Sequence, residues 1–222
     1  EIIQRWAFQP GDILVTNHPA FGGSHLPDIT VMCAVFDPEE NLLGYLANRA
    51  HHAELGGARP GSMPPFASRL SEEGVVISPF WLIRDGESHY DELRKHLGGG
   101  DYPSRAVDEN IADLQAQVAA LRRGNNLFTE LVSKQGTEQV VKYLAAVFDL
   151  GRSAFARRME AVGNLDVGTK DRMDDGSEIV LRIKKSGQNL DFDFSGSAPT
   201  HPGNLNATPA IVRSAILYCI RL

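Results

Sequence analysis

Among the residues of the first quarter of the chain able to hold a divalent metal or move a proton, four stand out by their spacing: His25, Asp28, His51 and His52. They fall in two segments, Gly22-Gly23-Ser24-His25-Leu26-Pro27-Asp28 and Asn48-Arg49-Ala50-His51-His52-Ala53-Glu54. Neutral imidazoles with a carboxylate and no thiolate suit zinc, manganese or ferrous iron. Three protein ligands leave coordination positions open for water or substrate, as catalytic sites do. A metal so held lowers the pKa of a bound water or polarises a carbonyl oxygen. The competing explanation is plain: a His-x-x-Asp pair often just satisfies a buried polar group, and a His-His dipeptide recurs by chance.

The stretch between the two segments must position them, and it reads strand, turn, strand. Ile29 to Phe36 is β-branched and aromatic with no charge, which predicts a central strand. Asp37-Pro38-Glu39-Glu40-Asn41 makes the turn, and Leu42 to Ala47 returns as a strand. Paired as a hairpin, the two strands bring His25 and Asp28 opposite His51 or His52. Neighbours on an extended chain alternate faces, so only one of the two adjacent histidines can point into a shared pocket.

Upstream, Pro10-Gly11-Asp12 is a turn and Ile13 to Thr16 a short apolar strand. The Gly22-Gly23 pair permits positive φ and close backbone approach, which suits a loop wrapped around a ligand. Downstream, Gly56 to Pro65 is too rich in glycine and proline for regular structure; it reads equally as a pocket wall and as a connector. Gly74 to Ile83 predicts an apolar strand broken near Pro79. His18, Gly23, Ser24, Arg49 and Ser62 are the expected substrate contacts, with His18 reading equally well as a turn residue. His89, His96 and His201 read as surface or loop histidines, Glu72 and Glu73 as a solvated pair, and Asp113 with Gln117 as a polar helix face.

From about Ala106 to Gly163 the pattern is helical. Ile111, Leu114, Val118 and Leu121 recur at helical spacing, and Gly124 to Asn126 marks a possible break. A second run carries Val140, Val141, Leu144, Val147 and Phe148, continuing through Phe155 to Met159. The expectation is two or three antiparallel helices whose apolar stripes are core. Beyond Gly163, Glu178 to Lys184 and Leu190 to Phe194 alternate apolar and polar residues around a turn, the mark of a hairpin. Thr208 is a plausible N-cap for a last helix with Pro209 at its first position. The predicted class is therefore α+β, a mixed or antiparallel sheet with β-hairpins flanking a central antiparallel helical segment. Its parts are a β-rich region over 1–105, a helical region over 106–163, and a hairpin plus helix over 164–222.

The net charge of −6 over 222 residues, with scattered lysines and arginines, argues against a nucleic-acid binder. No apolar run reaches the length of a membrane span and no signal peptide reads at the start, so a cytoplasmic location is expected. Cys33 and Cys219 read as reduced core residues. The start resembles a helix tail and the end an unfinished helix, so a piece of a longer polypeptide is expected. Neither a Gly-x-x-x-x-Gly-Lys-Ser/Thr loop nor a Gly-x-Gly-x-x-Gly after a strand is present, and no Gly-x-Ser-x-Gly elbow occurs. Metal chemistry is what remains.

Four stretches carry a family likeness: GDILVTNHPAFGGSHLPDITV, NRAHHAELGGARPGSMPP, IADLQAQVAA and DFSGSAPTHPGNLNAT. In them the chain resembles the hydantoinase B family, which includes the corresponding half of ATP-dependent 5-oxoprolinases and the large subunits of acetone and acetophenone carboxylases. Glu54 stands where that family usually carries aspartate. The resemblance implies a two-part machine. A hydantoinase A-type partner binds ATP and phosphorylates the substrate carbonyl oxygen, and the B-type part opens the cyclic amide, 5-oxoproline or a hydantoin. It also implies a divalent metal, zinc or manganese, held by His25, Asp28 and His51, with His52 as proton shuttle or orienting group. An oligomer is expected. The alternatives are a subunit of an ATP-dependent ketone carboxylase and a non-catalytic interface subunit.

Overall fold

The computed structural model describes residues 5–221, so the helix tail expected over Glu1 to Trp6 lies outside them save for Arg5 and Trp6. The architecture is α+β, divided into two compact units. One comprises the chain up to Gly136 and again from Pro202, and the other is Thr137–His201. The division falls inside the stretch expected to be helical.

The first unit is built on a five-stranded antiparallel sheet. Its strands are β1 (Ile13–Thr16), β2 (Asp28–Phe36), β3 (Leu42–His51), β4 (Phe80–Arg84) and β5 (Glu87–Ser88), in the order β3-β2-β1-β4-β5. β2 is interior as expected, although the middle position belongs to the short, fully buried β1. The predicted hairpin forms, and β3 runs on to His51 instead of ending at Ala47. The strand expected over Gly74 to Ile83 begins only at Phe80, because Pro79 has no N–H to give to a ladder.

Short helices α1 (Leu70–Glu73) and α2 (Tyr90–Leu97) precede the long α3 (Val107–Gln135). No break occurs at Gly124 to Asn126. One interior glycine costs about 1 kcal/mol, too little to interrupt a helix already held by packing. The helix ends instead at Gly136, where φ is +83°. α3 lies across β2 and β3. Ile111, Leu114, Val118 and Leu121 meet Ile29, Val31 and Cys33 there in the main core. Burial pushes the Cys33 thiol up to about 11. Cys219 is exposed on α5 (Pro209–Arg221), contrary to the core position expected of it. The cap of that helix is as predicted, with Ile211 N donating to Thr208 Oγ1 at 3.4 Å.

The second unit holds α4 (Thr137–Val162) and an antiparallel sheet of β6 (Leu165–Arg172), β7 (Glu178–Ser186) and β8 (Asn189–Asp193). The β7–β8 hairpin matches expectation. β6 has no counterpart among the expected strands: its LDVGTKDR sequence is almost wholly exposed and shows no apolar alternation. The apolar stripe of α4 is not core as expected: Val140 is buried, but Val147 and Phe148 are 67% and 75% exposed. Periodicity identifies an apolar face without saying what covers it. Among the described residues no helix is long and apolar enough to cross a membrane.

Leu114 has no exposure and anchors α3 to the sheet. Leu114→Ala is expected to lower unfolding stability by about 2–5 kcal/mol in denaturant titration.

Candidate functional site

The register of β2 and β3 sets the site. Asp28 pairs directly with His51, and Thr30 with Arg49. Residues two apart on a strand share a face. These four side chains therefore stand on one face of the hairpin, while Ile29 and Val31 point to the core against α3. His25 enters from the loop before β2. Its ring centroid lies 4.9 Å from that of His51, and its Nδ1 lies 3.3 Å from Asp28 Oδ2. Ser24 Oγ donates to the same Asp28 oxygen. The side chains of His25 and Asp28 retain 36% and 21% exposure, so the cluster is open to a small molecule.

The loop that carries Ser24 and His25 is held from several sides. Asn17 is fully buried; its Nδ2 donates to Leu26 O and Val75 O, and its Oδ1 accepts from Ile77 N. Gly22 is left-handed at φ +92°, and Gly23 passes so close to the preceding turn that a Cβ there would sit 2.5 Å from Asn17 O. Arg49 donates from Nε to Thr30 Oγ1 at 2.9 Å and from Nη2 to Gly22 O at 2.8 Å. His18 is placed as a turn residue: its Nδ1 accepts from Ala20 N at the start of a 3-10 turn over Pro19–Phe21.

The three expected metal ligands thus gather at one end of the hairpin, as two close pairs that share His25. Among the described residues, no three His, Cys, Asp or Glu side chains are grouped so as to hold an ion. The residue types are those found at divalent-metal sites, while their arrangement is that of two pairs sharing His25 and not of a three-ligand group. The carboxylate of Asp28 is engaged with Ser24 and His25.

His52 is not with them. It is fully buried on the side of the sheet that faces α3, its Nε2 3.0 Å from Gln117 Oε1. Asn110 Nδ2 approaches its Nδ1 at 3.4 Å, which fits the tautomer with the proton on Nε2. Gln117 Nε2 donates to Ile29 O and Asn48 Oδ1, and the His52 backbone N–H donates to Pro27 O. Gln117, expected on a solvated helix face, is 6% exposed and ties the helix to both strands. The clue was present in the sequence: Asn110 and Gln117 share the helical stripe of Ile111, Leu114, Val118 and Leu121. Polar residues inside an apolar stripe need partners within the core.

Ser62, an expected substrate contact, is 2% exposed. Its Oγ accepts from Leu55 N and donates to Gly56 O, so it braces the glycine-rich loop after β3. Glu54 organises the same loop by accepting from Gly61 N, Gly56 N and Arg105 Nη1. Burial alone would raise its carboxyl; the two backbone N–H groups and the guanidinium outweigh that and hold it below the usual carboxylate range. Glu72 and Glu73 do not form a solvated pair. Glu72 accepts from Ser68 N and Arg69 N at the start of α1, whereas Glu73 is half-buried. Burial raises the Glu73 carboxyl, against the pull of the His25 imidazole.

The structure thus gives an open hairpin end carrying two imidazoles and a carboxylate, over a helix-backed antiparallel sheet in an α+β fold. The match to known proteins is more specific. The family model described as hydantoinase B/oxoprolinase covers residues 1–222, and the chain belongs to that family. It is 40% identical over 225 residues to a 5-oxoprolinase of Saccharomyces cerevisiae, which takes in 96% of this chain. The chain spans only 18% of that relative's length. Its fold is that of an ATP-dependent caprolactamase from Pseudomonas jessenii, with TM-score 0.85 and 23% identity, covering 97% of this chain and 37% of the other. An acetone carboxylase in its nucleotide-free form has TM-score 0.79 and 19% identity, covering 96% of this chain and 30% of the other.

Two consequences concern the loops. Gly23→Ala is expected to displace the Gly22–His25 turn, cutting activity while secondary structure by circular dichroism stays unchanged. Because the folded-state pKa of Glu54 is depressed, its stabilisation is present above the unfolded carboxylate pKa and lost as pH falls through the folded value. Glu54→Gln should therefore cost about 1–3 kcal/mol near neutrality and flatten the acid limb of a stability–pH curve.

Proposed function

We propose that this chain is the B-type component of an ATP-dependent hydrolase of cyclic amides, with ring opening at the hairpin end formed by His25, Asp28 and His51. One observation carries the reading: Asp28 and His51 oppose each other on a single rung, with His25 against both, in a member of the hydantoinase B/oxoprolinase family. The substrates named by a 5-oxoprolinase relative and a caprolactamase neighbour are both lactams. The sequence has none of the common nucleotide-binding loops, so ATP is assigned to an A-type partner subunit or domain that activates the carbonyl oxygen.

A divalent ion, zinc or manganese, would be held by His25, Asp28 and His51, and when bound would supply Lewis-acid activation of the water that opens the activated ring. The chain's own groups do the rest. Ser24 orients the Asp28 carboxylate by donating to Oδ2. Arg49 holds the loop, and Gly23 lets it pass close to the turn before it. His52 serves as the orienting group: its backbone bond to Pro27 O and its ring bond to Gln117 fix the strand end from which His51 projects. A second reading is favoured by the 3.3 Å approach of Asp28 to His25 Nδ1. In it the carboxylate holds the proton on Nδ1, leaving Nε2 to act as general base toward water.

His25→Ala and Asp28→Ala, assayed with the ATP-binding partner, should each lower turnover by about a hundredfold or more. Elemental analysis of the same samples should show a stoichiometric metal in the wild type and its loss in both variants. Wild-type turnover in either variant rejects the site; full turnover in a wild type stripped of metal by chelators selects the general-base reading, and loss of turnover on stripping selects the metal.

A further inference from the structure

We infer that Arg49 and Thr30 form a latch that positions His25, and that Arg49 is a positioning residue and not a substrate contact. The proposal rests on the site reading above for its functional consequence, but on contacts within this chain for its structure. Thr30 and Arg49 occupy the same-face rung next to Asp28 and His51. From that rung the guanidinium bridges two elements. Its Nε takes Thr30 Oγ1 at 2.9 Å on β2, and its Nη2 takes Gly22 O at 2.8 Å in the loop.

Gly22 is three residues before His25, and the intervening Gly23 has no side chain to brace the turn. Gly23 N bonds only loosely to His18 O, at 3.3 Å. Glycines leave a loop many conformations to lose on ordering. A planar guanidinium with two bonds fixed in one direction removes that freedom where a single flexible ammonium cannot. Asn17 secures the far side of the loop from within the core, and Arg49 secures the solvent side. Between these two fastenings lie Ser24 and His25, which must meet Asp28. The exposed position of Arg49 fits this task, because its side chain crosses over the rung instead of packing beneath it.

The test uses the full-length protein with its ATP-binding partner and the variants Arg49→Met, Arg49→Lys and Thr30→Val. Hydrogen–deuterium exchange over residues 19–27 should quicken in Arg49→Met and, less strongly, in Thr30→Val, with no change in melting temperature beyond a few degrees. Arg49→Lys keeps the charge and should share the defect of Arg49→Met. Titration with Mn(II) or Zn(II) alone should show affinity weakened by about 10- to 100-fold in Arg49→Met, the usual effect of losing a group that orients a ligand. kcat should fall with KM little changed. Unchanged exchange over 19–27 in Arg49→Met overturns the latch. So does a rise in KM that Arg49→Lys rescues, since that is the behaviour of an anion contact. If the wild type itself binds neither ion, the metal reading fails, while the exchange measurement still decides the latch.

Discussion

The pairing register of β2 with β3 is the constraint on which the rest of the structure depends. Side chains on a strand alternate, so a slip by one residue would carry Asp28 and Thr30 into the core and turn Ile29 and Val31 out to solvent. The register is held by hydrophobic burial on both faces: Ile29, Val31 and Cys33 meet α3, while Met32, Ala34 and Phe36 join a second apolar cluster on the face that carries Asp28 and Thr30 at its end. The polar end of the hairpin therefore acquires its geometry from the apolar packing along the rest of it. Asp28 stands opposite His51 because Ile29 and Val31 must be inside.

Burial alone would leave the ends of the hairpin free to fray, and buried polar groups hold them. Asn17 and Gln117 each make three or more bonds to chain segments distant in sequence, so each fixes position in a way that apolar packing does not. Such groups are costly to bury without partners and rigid once satisfied. Among the described residues Asn125 Oδ1 is the one buried side-chain polar atom without a partner. His52 belongs to this set. Its value is structural: a ring clamped between α3 and the sheet, one residue after a histidine that faces the open side.

Glu54 plays the corresponding part for the loop beyond β3. A carboxylate accepting from two backbone N–H groups and a guanidinium organises a segment too rich in glycine and proline to form a helix or strand. The glutamate reaches across that loop, from Gly56 N to Gly61 N and Arg105 Nη1. Ser62 closes the same loop from inside the fold. The two glycine-bearing loops are thus stiffened by polar side chains, one by Arg49 and Asn17, the other by Glu54 and Ser62.

The sequence by itself determined the hairpin, its turn, the presence of a long helix, the last helix with its Thr208 cap, and the candidate residues His25, Asp28 and His51. These are local properties: alternation, turn chemistry and spacing act over a few residues and need no knowledge of what packs against them. Only the tertiary structure decided which of two adjacent histidines faces outward, because that depends on which side of the sheet α3 covers. It also decided that Gln117 and Ser62 are internal braces and that Arg49 grips the glycine loop, since their partners lie many residues away in the chain. β6 and the exposed stripe of α4 escaped for the complementary reason. A strand can be recruited by its neighbour's hydrogen bonds without an apolar pattern of its own, and an apolar pattern does not name the surface that will cover it.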